Sequence, residues 1–153
     1  GGPLHADLRI RTEVKKAMLK AAPPCELAIV DGSPGIGCPV IASVNGMDLV
    51  LVVAEPSGSG ISDLKRLCAA AATLQVQLAV CVNKYDVSPQ HTERIETFCR
   101  QQGIAFVGKI PFDPMAVRAV NEGTTVVDID CPAGRAVREI FAKLTVLLAE
   151  RSI

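Results

Sequence analysis

The chain has 153 residues, 49% of them hydrophobic and only 3% aromatic, and its 16 basic and 16 acidic side chains cancel. That length suits one domain, 1–153, with a core that needs no staples. The cancelled charge excludes the basic footprint of a nucleic-acid groove, so no nucleic-acid partner is expected. No run of about 18 apolar residues occurs and the N-terminus lacks a charged region followed by a hydrophobic one, so neither a membrane span nor a signal peptide is expected.

With so few aromatics the core must come from Ala, Val, Leu and Ile, which suits small strands under Ala/Leu helices, an α/β arrangement. The six cysteines, Cys25, Cys38, Cys68, Cys81, Cys99 and Cys131, show no CxxC and no histidine at zinc-finger spacing. They read as small buried hydrophobes in a reducing, cytoplasmic compartment.

In chain order, an amphipathic helix is expected over residues 8–21, closed by Pro23 and Pro24. Apolar runs at 26–31, 48–54, 77–83 and 104–107 read as strands buried on both faces, because they run continuously instead of alternating. Between them lie helix-length segments. One covers 63–74 after a loop of Ser57, Gly58, Ser59 and Gly60; another covers 89–102, with Ser88 as N-cap, Pro89 at its first position and Gly103 as its stop. Shorter and longer helices follow over 115–121 and 132–151. Alternation of this kind predicts right-handed crossovers and a mostly parallel sheet flanked by helices, with ligands beyond the carboxyl ends of the strands.

The first strand end, Asp31-Gly32-Ser33-Pro34-Gly35, is the sharpest signal. A carboxylate leaving a strand can hold Mg²⁺ through water, and bare glycine backbone can approach a γ-phosphate. The alternative is an aspartate capping a turn. Gly32 and Gly37 have the spacing of a phosphate-binding P-loop, but Cys38-Pro39 stands where Lys and Ser/Thr are required. Cys38 is either a thiol activated by a helix N-terminus or a buried structural cysteine.

The second strand end opens into the Ser57–Gly60 stretch, an anion site or an ordinary connection. At the third, Asn83-Lys84-Tyr85-Asp86 resembles the Asn-Lys-x-Asp base-reading motif of GTPases, and the Asn83 carboxamide either pairs with a base edge or satisfies backbone groups. The fourth, Lys109-Ile110-Pro111-Phe112-Asp113-Pro114, is either the rim of a base pocket or a rigid turn before a helix.

Taken together, Asp31-Gly-Ser-Pro-Gly35, residues 48–56, Val82-Asn83-Lys84 and Ile110-Pro-Phe-Asp113 resemble the second half of the MinD/ParA family of deviant P-loop ATPases. The stretch 34–43 is closer to the MinD-like ATPases that carry an inserted ferredoxin domain, in which a segment like residues 3–8 follows the insert. The resemblance implies a partial P-loop NTPase fold that binds ATP or ADP with Mg²⁺. It implies that Asp31 organises the metal through water and is the catalytic-side carboxylate. Gly32, Pro34 and Gly35 then belong to the γ-phosphate switch, Asn83 contacts adenine, and Pro111, Phe112 and Asp113 border the base. Asp63 matches a region where family members meet a dimer mate or partner.

The family's Lys-Gly-Gly-x-Gly-Lys-Thr loop, its first strand and the ferredoxin cysteines are not in these 153 residues. The chain is therefore expected to be either the C-terminal part of a longer ATPase, a hydrolase with an iron–sulfur cluster in the missing segment and a redox partner, or a truncated relative. By itself it is expected not to hydrolyse ATP. A second expectation is a non-catalytic module of the same fold, forming a homodimer or docking through an unpaired sheet edge. A third is a thiol or flavin redox protein on a flavodoxin-like sheet.

Overall fold

In the computed structural model, which describes residues 17, 20, 27–32 and 44–151, three of the apolar runs form a parallel sheet. Strands β1 (Leu49–Ala54), β2 (Gln77–Asn83) and β3 (Ala105–Ile110) lie in the order β1-β2-β3. Helices α1 (Gly58–Leu74), α2 (Pro89–Gln102), α3 (Pro114–Asn121) and α4 (Pro132–Arg151) follow or separate them. Residues 78–82 of the central strand are all buried, which is why β2 reads as an unbroken apolar run.

Successive side chains of β2 serve opposite layers. Val80 and Val82 face α1 and α2, packing with Ile61, Leu64, Ile95 and Cys99. Ala79 and Cys81 face α4, packing with Val107 and Ile140 against Leu144 and Leu147. Each fully buried Leu, Ile or Val contributes about 1.5–3 kcal/mol relative to exposure, so the two clusters clamp the sheet from both sides.

Helix α1 begins at Gly58, earlier than the expected 63, because the Ser57–Gly60 stretch is a cap and first turn instead of a loop. The Ser57 Oγ accepts the Gly60 N–H at 3.0 Å, satisfying one of the orphan donors of the helix start. A Cβ at Gly60 would collide with the Glu55 carbonyl, so glycine is what lets the chain double back off β1. In α2, Ser88 holds the N-cap position but its hydroxyl pairs with His91 Nδ1 at 2.7 Å, and Gly103 ends the helix at φ 67°.

Strand β3 continues to Ile110, beyond the expected 107, through a bulge. Val80 pairs with Phe106 while Cys81 pairs with Gly108, leaving Val107 as the extra residue. Gly108 has φ 153°, and an added Cβ would sit 2.7 Å from Ile140 Cγ1. Glycine is therefore required both by the backbone and by the close passage of α4.

The described part of the apolar run expected at 26–31, residues 27–31, is not a strand. Residues 27–32 are irregular, with Leu27 43% and Ile29 80% exposed. An extended segment becomes a strand only when a neighbour takes up its N–H and C=O groups, and none among the described residues does so. The outer side of β1 likewise has no strand beside it among the described residues, and Leu51 and Val53 are exposed there. Ala17 and Lys20 are helical, in keeping with the helix expected over 8–21, whose other residues lie outside the described set.

Cys81, Cys99 and Cys131 are buried and Cys68 is half-buried, all as free thiols; Cys25 and Cys38 lie outside the described residues. Burial pushes the Cys81 thiol up to about 11. Cys99 is also pushed up to about 11, by burial first and then by the proximity of Cys68 and Glu96. No helix among the described residues is long and apolar enough to cross a membrane.

Candidate functional site

Parallel strands put their carboxyl ends on one edge of the sheet, and the register aligns them: Ala54 lies opposite Val82, and Asn83 opposite Ile110. Three connecting segments therefore emerge side by side. Glu55-Pro56 leads to the Ser57 cap. Lys84, at φ 51° and ψ 46°, turns the chain into a 3-10 turn over Tyr85–Val87. Pro111-Phe112 leads to Asp113, the N-cap of α3. A left-handed Lys is uncommon and marks a sharp exit from β2.

Side chains tie these segments together. Lys84 Nζ lies 3.7 Å from Glu55 Oε1, bridging the ends of β1 and β2. Both partners are about half exposed or more, so the pair contributes at most about 1 kcal/mol. Asp86 Oδ1 accepts the Phe112 N–H at 2.8 Å, bridging the ends of β2 and β3. Lys109 reaches Glu96 at 2.9 Å and stands 5.5 Å above the Tyr85 ring, while Thr92 Oγ1 donates to the Tyr85 carbonyl at 2.9 Å. The Tyr85–Val87 turn is thus held from α2 and from β3.

The Asp113 carboxylate joins two helix starts. Oδ1 accepts the Met115 N–H at 3.0 Å and Oδ2 accepts the Ala133 N–H at 3.1 Å, and these bonds hold its carboxyl below the usual carboxylate range. Beside it, Cys131 Sγ accepts the Gly134 N–H at 3.3 Å and so caps α4. Asp113 borders the edge through its backbone, its side chain being committed to α3 and α4.

Two groups at this edge remain available. The half-buried Asn83 carboxamide makes no hydrogen bond to a described residue, and the Phe112 ring is 56% exposed. One offers a donor and an acceptor, the other a flat apolar face, which together suit a planar heterocycle. Pro111, half-buried, directly precedes Phe112.

The remaining expected residues are not gathered here. Asp31 and Gly32 stand in exposed irregular backbone outside the sheet, and Asp63 is exposed on α1. Pro34 and Gly35, with Ser33, lie outside the described residues. Asp86 is the tie that sequence reasoning missed as a loop anchor: its partner is 26 residues away, and only the register of β3 brings it near.

Among the described residues no three His, Cys, Asp or Glu side chains converge as metal ligands. The described cysteines do not fit an iron–sulfur cluster, since Cys81 lies in β2, Cys99 in α2 and Cys131 before α4. Asp31 alone is too small a donor set to define a Mg²⁺ site. A hollow of about 420 Å³ lies between α1 and α2, lined by Ile61, Lys65, Glu93, Arg94 and Phe98.

Comparison with known proteins bears on the whole edge. A cell-division ATPase MinD of Pyrococcus furiosus superposes with a TM-score of 0.72 over 93% of this chain and 60% of its own, at 18% identity. The chain has the MinD-type fold. The sheet edge described above is thus the carboxyl edge of a P-loop NTPase-like fold, and the resemblance to MinD/ParA-type ATPases seen in the sequence stands.

Among the relatives are two proteins of Methanocaldococcus jannaschii that bear on function. An uncharacterized ATP-binding protein is 33% identical over 152 residues, 94% of this chain and 56% of the relative. An iron–sulfur cluster carrier protein is 23% identical over 129 residues, 76% of this chain and 44% of the relative. No family model matches. The chain spans between 38% and 56% of the length of the curated relatives it matches.

Proposed function

We propose that this chain is the base-side and switch-side part of a MinD/ParA-like ATP-binding protein in which adenine lies at the carboxyl edge of the sheet. Asn83 pairs with the base edge, and Pro111, Phe112 and the backbone of Asp113 border it. The carrying observation is the Asn83 carboxamide, which makes no hydrogen bond to a described residue, at the same sheet edge as the exposed Phe112 ring. The fold and the ATP-binding relative support the same reading.

In the intact protein Asp31 would contribute to holding Mg²⁺, and Gly32, Pro34 and Gly35 would belong to the switch at the γ-phosphate. Bound Mg²⁺ would neutralise charge on the phosphates during transfer. Phosphate gripping falls to a Gly-rich Lys-Thr loop that this sequence does not contain. The iron–sulfur carrier relative supports a link to iron–sulfur or redox proteins, and Asp63 on α1 faces the dimer mate or partner in a cytoplasmic setting.

Titration with fluorescent N-methylanthraniloyl ADP tests the base site. Weak, saturable binding that drops about tenfold in Asn83→Ala, the loss of one good hydrogen-bonding side chain, is expected. Binding insensitive to both Asn83→Ala and Phe112→Ala refutes the assignment. The chain alone is expected to show no ATP turnover; turnover above background that Asp31→Ala abolishes would overturn this.

The outer side of β1, which has no strand beside it among the described residues, favours a second reading, a self-associating module of the same fold. Its sequence Leu-Val-Leu-Val-Val-Ala carries no charge or proline to discourage pairing, and Leu51 and Val53 are exposed. A monomer at high concentration by light scattering argues against it.

A further inference from the structure

Asp86 occupies the place from which the last residue of an Asn-Lys-x-Asp motif would face a base, yet its carboxylate points along the sheet edge. Oδ1 accepts the Phe112 N–H at 2.8 Å. Phe112 is the residue between Pro111, which has no N–H, and Asp113, whose two oxygens hold the starts of α3 and α4. The connection after β3 is therefore pinned by two carboxylates, Asp86 on its near side and Asp113 on its far side.

The near pin also has a fixed base. The Tyr85–Val87 turn that carries Asp86 is anchored by Thr92 Oγ1 on the Tyr85 carbonyl and by Lys109 above the Tyr85 ring. Asp86 thus sets where Phe112 stands relative to Asn83. A carboxylate that reads guanine must turn both oxygens to the N1–H and the exocyclic amine of the base. Asp86 has already turned one to the protein.

We propose that Asp86 is a positioning residue of the nucleotide site, a latch that holds the Phe112 ring and the Pro111 backbone at their spacing from Asn83, and that it does not read the base. This rests on the adenine-nucleotide reading above, and the experiment separates the two.

The 153-residue chain is compared with Asp86→Ala and with Asp86→Asn, which keeps an acceptor oxygen. Far-ultraviolet circular dichroism confirms that all three fold. In ¹H–¹⁵N spectra the Phe112 amide of Asp86→Ala is expected to shift upfield and to exchange with solvent about tenfold faster, and that of Asp86→Asn to stay within about twofold of the parent. In titrations with N-methylanthraniloyl ADP and GDP, Asp86→Ala is expected to weaken both about 5- to 10-fold with their ratio unchanged, and Asp86→Asn to restore both.

An unchanged Phe112 amide in Asp86→Ala overturns the latch. So does Asp86→Asn binding as weakly as Asp86→Ala, or a loss confined to GDP, which is the signature of a direct base reader. If the parent chain binds neither nucleotide, the adenine reading fails and with it the positioning role, while the Phe112 amide still reports whether the hydrogen bond exists.

Discussion

Gly108→Ala is the substitution whose cost the structure specifies most fully. The new methyl would stand 2.7 Å from Ile140 Cγ1 and 3.3 Å from Cδ1, well inside the ~3.5 Å at which carbon contacts turn favourable. Ile140 cannot step aside, being 4% exposed and enclosed by Ala79, Cys81 and Val107. Overpacking of this kind costs about 1–3 kcal/mol, and holding an L-residue at φ 153° about 1–3 kcal/mol more. Together these come to about 2–6 kcal/mol, which for a chain of this size lowers Tm by about 4–24 °C.

A double-mutant cycle separates the two parts. Ile140→Ala alone costs about 2–5 kcal/mol through its cavity. In that background the methyl of Gly108→Ala has room, so its cost should fall to the backbone part and leave a coupling of about 1–3 kcal/mol. Urea denaturation followed by circular dichroism supplies all four stabilities. Strict additivity would show that α4 does not press on the bulge, and an unchanged Tm in Gly108→Ala would refute both the strain and the contact.

Two further outcomes concern titration. Because burial raises the Cys81 and Cys99 thiols from 9.0 to about 11, they favour the folded state below pH 9.0 and this contribution is lost as pH rises toward 11. The urea midpoint should fall over that interval, and the fall should shrink in Cys81→Ala; an equally steep profile in that variant refutes the assignment. Asp113 is held below the usual carboxylate range, chiefly by the Met115 and Ala133 N–H groups, so its stabilisation is present at neutral pH and lost as pH falls through its folded value. Asp113→Ala should therefore lower Tm at neutral pH and converge with the parent in strongly acid solution; parallel Tm curves count against it.

Much of the fold was legible because the chemistry is local. The continuous apolar runs at 48–54 and 77–83 correspond to β1 and β2, and Pro89 with Gly103 marks both ends of α2. Where the reading failed, the missing information was non-local. The run at 26–31 has strand composition, but composition does not say whether a neighbour is present to bond it. The Ser57–Gly60 stretch looks like a loop until the Glu55 carbonyl is seen pressing on Gly60. Gly108 reads as a strand end, whereas the passage of α4 makes it a bulge within β3.

The site divides in the same way. Asn83, Pro111, Phe112 and Asp113 fall at the ends of β2 and β3, where the alternation of strands and helices puts them. The tie from Asp86 to Phe112 depends on a one-residue register shift between Val80 and Cys81. Without that shift Lys109, not Ile110, would stand opposite Asn83, and every residue of the following connection would sit one step further from it.

The order β1-β2-β3 also bears on how the chain is made. Each strand pairs with the next one in sequence, so the sheet can grow at one edge as the polypeptide emerges, with α1 and α2 covering one face on the way. The other face must wait. Among the described elements it is α4, 20 residues long, that covers Ala79, Cys81 and Val107, and Arg151 at its end donates to the Asp48 carbonyl just before β1. A ribosome paused before α4 would therefore display a half-clad sheet, and the nascent chain is then most exposed to chaperone capture and misassembly.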